Sequence, residues 1–87
     1  MTSESTERAF RKQFRTTFGE ADYPLHDPFE LIPVLPDGPA TEFEAGGITV
    51  PAIELGMTYG IYQTYPYESV DSLVDDLIYG LRQEGEL

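Results

Sequence analysis

An 87-residue chain has room for one hydrophobic core and no second domain. Its 16 acidic and 5 basic residues leave a net charge of -11, which disfavours general binding to nucleic acid or to an anionic membrane surface. The absence of cysteine excludes disulfides, thiolate-ligated metals and thiol nucleophiles, and no apolar run approaches the roughly 18 residues of a membrane span.

Because 40% of the residues are hydrophobic and regularly spaced, the acid is expected on a folded surface and not in a disordered tail. Such a surface repels itself in dilute buffer, whereas at ~1 M salt the screening length falls to about 3 Å. The composition therefore fits a soluble protein of a salt-adapted, halophilic cytoplasm. That reading expects a higher melting temperature in molar salt than in dilute buffer.

The first periodic segment runs over about residues 4–18, where Phe10, Phe14 and Phe18 recur at i, i+4 and i+8 and predict a helix with one buried aromatic face. Ser3 or Ser5 is its expected cap, and Gly19 its expected stop. The second begins at Asp27-Pro28 with Glu30 following, a capping-box start, and Pro33 and Pro36 limit it to about two turns. After the turn Leu35-Pro36-Asp37-Gly38-Pro39, a short hairpin is expected from Thr41 to Val50 around Ala45-Gly46-Gly47. Residues 51–62 fit two patterns. Ile53, Leu55, Met57, Tyr59 and Ile61 alternate as in a strand, while Ile53, Met57 and Ile61 also recur every four residues; length favours a helix, with Gly56 and Gly60 open to close approach. The last helix is the clearest: Val70, Leu73, Val74, Leu77, Ile78 and Leu81 form one apolar stripe behind a Ser69 cap, with Gly85 to end it.

Shifting the chain by 42 residues brings Tyr23-Pro24-Leu25 onto Tyr65-Pro66-Tyr67, Asp27 onto Ser69, and Leu31, Ile32 and Leu35 onto Leu73, Val74 and Leu77. Each half, about 4–35 and 51–83, then reads as helix, Tyr-Pro loop, cap, helix. One domain over residues 1–87 is expected, with loose ends at 1–4 and 84–87. Tyr23, Pro24, Tyr65 and Pro66 are expected to structure the loops. The order of Ala21-Asp22-Tyr23-Pro24, the Pro36-Asp37-Gly38 turn, Phe43-Glu44-Ala45-Gly46 and Tyr65-Pro66-Tyr67 resembles a small archaeal family of uncharacterised proteins. The resemblance covers about residues 8–83 and implies an EF-hand-like arrangement of helices without an established activity or catalytic residues. Pro51 departs from that family, which more usually has a capping Thr or Ser there. Repeat and resemblance together predict an all-α domain with a minor β-hairpin: two helix-loop-helix hairpins packed as an EF-hand-like four-helix unit.

Candidate chemistry is sparse. A calcium loop needs alternating oxygen ligands over 12 residues with a Gly at the sixth and a Glu at the twelfth, and neither Tyr-Pro loop supplies them. No metal or cofactor is expected. The carboxylate pairs Asp71 with Asp75, Asp75 with Asp76, and Glu42 with Glu44 lie opposite apolar positions and read as solvated faces, so no catalytic residue is assigned. Arg8, Arg11, Lys12 and Arg15 stand out: they hold four of the five positive charges and share one face at i, i+3, i+4 and i+7. Residues 1–18 carry a net +2 and residues 19–87 a net -13. The stripe is expected either to dock an acidic partner or a phosphate-bearing ligand, or to pair with the acidic face of a neighbouring helix or of a second copy. The functional expectation is a non-catalytic protein-interaction module whose partner is an unidentified protein or the chain itself. The alternative is a small enzyme or ligand carrier using the Tyr-Pro loops and His26.

Overall fold

A computed structural model describes residues 4–87. The described chain is mainly helical with one small antiparallel sheet: α1 (Glu4–Phe18), a 3-10 helix at Pro28–Val34, a 3-10 turn at Gly38–Ala40, β1 (Glu42–Ala45), β2 (Ile48–Pro51), α2 (Ala52–Met57), a 3-10 turn at Gly60–Tyr62 and α3 (Val70–Gln83). The expected cap Ser3 lies outside the described residues, and Ser5 sits inside α1.

The phenylalanine face of α1 is the centre of the core. Phe10, Phe14 and Phe18 are buried and stack successively at ring-centroid separations of 5.8 and 6.0 Å, and Phe43 from β1 closes edge-on against Phe14 at 4.9 Å. The apolar stripe of α3 covers the other side, with Leu73, Val74, Leu77, Ile78 and Leu81 all at 0–1% exposure. Ser69 caps α3 by accepting the Ser72 N–H at 3.4 Å. At its C-terminal end the N–H groups of Glu86 and Leu87 both reach the Leu81 carbonyl, and Leu87 packs partly on the core; these are the contacts of the segment 84–87 expected to be loose.

The hairpin pairs Phe43 with Val50 and Ala45 with Ile48, leaving Gly46 and Gly47 as a two-residue loop with positive φ at both, 58° and 81°. Strand twist favours such a loop, and glycine supplies it without steric cost. Gln13 fastens the hairpin to α1, donating to the Glu44 carbonyl at 2.8 Å and accepting the Glu44 N–H at 3.4 Å. A Cβ on Gly46 would collide with the Thr6 side chain, whereas one on Gly47 would meet nothing within 4 Å. Both Gly→Ala variants are expected to lose about 1–2 kcal/mol to the left-handed backbone, and Gly46→Ala to lose more through the collision. Urea denaturation of the two side by side checks this, equal losses counting against the collision.

Asp27 starts the 28–34 helix as expected, its carboxylate accepting the Phe29 N–H at 2.9 Å. Glu30 reaches back as in a capping box, but to the His26 N–H at 2.8 Å, one residue before the cap. With Pro28 and Pro33 present, the two turns wind as a 3-10 helix. Residues 51–62 do not form one continuous helix. The Glu54 carbonyl accepts from both Thr58 and Tyr59, α2 stops at Met57, and a separate 3-10 turn follows. Ala52, Leu55 and Tyr59 face the core, so the stripe of Ile53, Met57 and Ile61 points outward at 53, 73 and 79% exposure. Neither Gly56 nor Gly60 admits a close neighbour; the close approach is at Gly80, where a Cβ would lie 3.1 Å from the Tyr62 ring.

The two Tyr-Pro loops meet. Both Tyr-Pro peptide bonds are cis, and Leu25 and Tyr67 exchange reciprocal N–H to carbonyl bonds of 2.8 Å in an isolated antiparallel bridge.

Candidate docking groove

Between the 28–34 helix and α2 the surface opens into a groove of about 340 Å³ with an almost wholly apolar lining. Its floor is the underside of the core, contributed by Phe18, Leu31, Leu55 and Leu77. Its walls are side chains the core has no room for. On one side stand Phe29 and Ile32, 76 and 40% exposed, and on the other Ile53 and Met57. The short 28–34 helix carries more apolar residues than one buried face can absorb, and the break after Met57 turns the Ile53 and Met57 side of α2 outward. Contiguous exposed apolar walls of this kind mark interaction sites, whereas single exposed residues need no explanation.

The polar groups in the groove bond to each other or to the backbone. Tyr65 donates to the Gln63 amide oxygen at 3.0 Å, and the Gln63 amide donates to the Leu55 carbonyl at 2.6 Å. Burial pushes the Tyr65 phenol well above its ordinary range, with the nearby Tyr67 and the carboxylates of Asp27 and Glu30 adding in the same direction. Those two carboxylates give the groove a negative setting, and between Arg15 and Arg82 the chain holds no Lys or Arg.

The basic stripe lies elsewhere, on α1, and two of its four residues reach α3. Arg11 binds Asp75 at 2.7 Å and approaches Glu7 at 3.7 Å, and Arg15 binds Asp71 at 3.1 Å. Arg82 of α3 returns the contact to Glu7. The acidic residues at i, i+4 on α3 are thus the complement of the arginines on α1, and these exposed pairs add about 0.2–1 kcal/mol each. Arg8 and Lys12 are exposed and enter none of the ion pairs among the described residues.

In the loops, Tyr23 donates to the Phe18 carbonyl at 2.8 Å and so closes the end of α1, while Tyr65 stacks edge-on with Tyr67 at 4.8 Å. Pro24 and Pro66 are exposed. Asp76, read from sequence as solvated, is half-buried and accepts from Tyr67 at 2.6 Å and from the Thr64 hydroxyl at 3.1 Å. The open depression beside it, about 420 Å³, is lined by Thr64, Glu68, Asp75 and Asp76 with Pro66, Tyr67 and Ser72, and the network of Thr64, Tyr67 and Asp76 forms part of that lining. His26 is exposed and lines neither depression. Among the described residues no three His, Asp or Glu are placed to hold a metal ion, and no helix is long and apolar enough to cross a membrane.

A model of the MTH865-like family matches residues 9–79. The chain belongs to that family. Comparison with curated proteins finds no match, and comparison with solved structures finds none either. The matched stretch of this MTH865-like chain contains both walls of the groove, the hairpin and both Tyr-Pro loops. The groove is what sequence reasoning missed. Two signals for it were present: apolar residues at consecutive positions 31–32 and 34–35 in a helix too short to bury them all, and an i, i+4 stripe on residues 53–61 that competed with the i, i+3 stripe at Ala52 and Leu55.

Proposed function

We propose that this MTH865-like protein is a non-catalytic interaction module that docks another protein in the apolar groove between the 28–34 helix and α2. The observation that carries this reading is the pair of apolar walls, Phe29 with Ile32 and Ile53 with Met57, left exposed over a floor of core residues. Exposed aromatic and methionine side chains suit such a role, since they bring large contact area and, for Met57, an adaptable shape. The polar side chains of the lining are only Gln63 and Tyr65, bonded to each other and to the Leu55 carbonyl, and this scarcity of polar groups supports a docking surface over a small-molecule site. The arginines of the basic stripe serve α1–α3 pairing in this reading, and docking moves from the stripe to the groove. Its architecture is read as an EF-hand-like pair of helix-loop-helix halves without calcium, joined through the Leu25–Tyr67 bridge; that bridge and the matching Tyr-Pro loops support it.

The test is capture from lysate with two variants beside the wild type, all confirmed folded by their melting curves. Phe29→Ser with Met57→Ser removes one anchor from each wall; Arg8→Glu with Lys12→Glu reverses the exposed cations of the stripe. The expected result is a partner retained by the stripe variant and lost by the groove variant. The opposite pattern would move docking back to α1, and a wild type that neither captures a partner nor self-associates would remove the module reading.

The salt-adapted setting is part of the same proposal. With a net charge of -11, the melting temperature is expected to rise by several degrees between dilute buffer and about 1 M salt, where repulsion is screened at about 3 Å. The Arg11–Asp75 and Arg15–Asp71 pairs weaken over the same range, but being exposed they offset little of the gain. A melt that does not move with salt would sink this part.

A further inference from the structure

We infer that the occupant of the groove is an amphipathic helix with basic residues flanking its apolar face, supplied by another protein; this rests on the groove being the docking site.

The argument is one of charge and shape. The groove is open and almost wholly apolar, with exposed side chains of two different segments, Phe29 and Ile32 from one and Ile53 and Met57 from the other, available to a helix that presents a stripe of anchors at i, i+3, i+4 and i+7. Its surroundings carry one sign of charge. Asp27 and Glu30 lead into and lie on one wall helix, and both carboxylates act on Tyr65 within the groove. No Lys or Arg occurs from residue 16 to residue 81 to balance them. A helix with acidic flanks would place like charges against these carboxylates, and anionic lipid or nucleic acid would meet the same repulsion. A second copy is disfavoured on the same ground, because apposing two grooves brings together two acidic rims on molecules of net charge -11 each. A small apolar ligand would fill part of the volume but would leave the outer faces of Phe29 and Met57, 76 and 73% exposed, in water. Lysine and arginine flanks meet the charge and, through their aliphatic stems, extend the apolar cover.

The experiment uses three synthetic peptides of about 14 residues, roughly four helical turns. One has leucines at the anchor positions and lysines elsewhere, a second has leucines and glutamates, and a third has serines and lysines. Binding to the full chain is measured by calorimetry at low and at molar salt. Two variants accompany the wild type: Phe29→Ser with Ile53→Ser, which removes anchors, and Asp27→Asn with Glu30→Gln, which removes charge while keeping side-chain oxygens to accept the Phe29 and His26 N–H groups. The expected result is that the leucine-lysine peptide alone binds, at least roughly tenfold more weakly to the anchor variant and several-fold more weakly to the charge variant, and that salt erodes the affinity without abolishing it.

Equal binding of the serine-lysine peptide, or undiminished binding to the anchor variant, would show attraction to net charge alone and overturn the inference. Equal binding of the leucine-glutamate peptide would overturn the basic character of the partner while leaving the groove as the docking site. If no peptide binds and the wild type self-associates through the groove, as judged by a monomeric anchor variant in light scattering, the occupant is a second copy: the inference fails and an interacting groove survives. If no peptide binds and the wild type is monomeric, the inference fails, and capture from lysate decides the docking reading separately.

Discussion

Replacing Phe14 with alanine is expected to cost about 3–5 kcal/mol, the range for deleting a fully buried aromatic side chain. Phe14 is at 0% exposure and is the ring through which the others connect: it stacks on Phe10 and Phe18 along α1 and meets Phe43 edge-on from the hairpin. Its loss opens a cavity between α1 and the sheet, bordered by Phe10, Phe18 and Phe43. A domain of this length has a total stability on the order of 4–13 kcal/mol, so the variant is expected to be largely unfolded or close to it at ambient temperature. Phe14→Leu retains most of the volume and is expected to fold with a smaller loss. Urea denaturation monitored by circular dichroism measures both, with Ile53→Ala as an exposed control expected within about 0.5 kcal/mol of wild type. A Phe14→Ala midpoint close to that control would mean the aromatic row is not the centre of the core.

Tyr67→Phe is expected to cost about 1.5–3 kcal/mol, because it removes one hydrogen bond to a charged group and strands a second donor. The ring is buried, and its hydroxyl accepts the Thr64 N–H at 2.8 Å while donating to Asp76 at 2.6 Å. The Thr64 amide then loses its acceptor within the protein, and Asp76 keeps the Thr64 hydroxyl. The same residue sets an alkaline limit. Burial first, and then the Asp76 carboxylate it donates to, push the Tyr67 phenol up to about 12 from an ordinary value of 10.0, and Tyr65 moves the same way mainly through burial. A raised value means that the unfolded chain releases these protons first. The stabilisation from keeping them is present below about pH 10 and is lost as pH rises toward and through 12. Tyr23, Tyr59 and Tyr62 are raised as well, so melting temperatures across this interval should fall for the wild type and fall less steeply for Tyr67→Phe, which starts lower but lacks one of these titrations. Identical slopes would show that Tyr67 ionises as readily in the fold as outside it.

The parts of the fold visible in the sequence are those whose burial follows from one element's own periodicity. The stripes of α1 and α3 each select a single face, Asp27 and Ser69 announce their helices, and two glycines between β-forming residues make a hairpin. Residues 51–62 carry two overlapping stripes. Which of them is buried depends on where α3 and the hairpin leave space, and the core takes Ala52, Leu55 and Tyr59. The groove arises from that choice, so it is a property of the assembled layers and not of any segment. The basic stripe was legible as a face but ambiguous in purpose. Asp71 and Asp75 on α3 share the spacing of Arg11 and Arg15 on α1, yet only the packing of the helices places each carboxylate beside its arginine.

The bridge between Leu25 and Tyr67 gives the molecule a built-in reporter. Loop amides ordinarily exchange with solvent through small local excursions, but each of these two is held by the other's carbonyl, in a different half of the chain, at the same 2.8 Å. Neither hydrogen is released unless the loops part, and parting them frees both. Deuterium should therefore enter positions 25 and 67 at closely matched rates, slower than at the flanking loop residues. That shared rate is a direct clock for separation of the two halves, and a helix seated in the groove, which is walled by residues from both, should slow it.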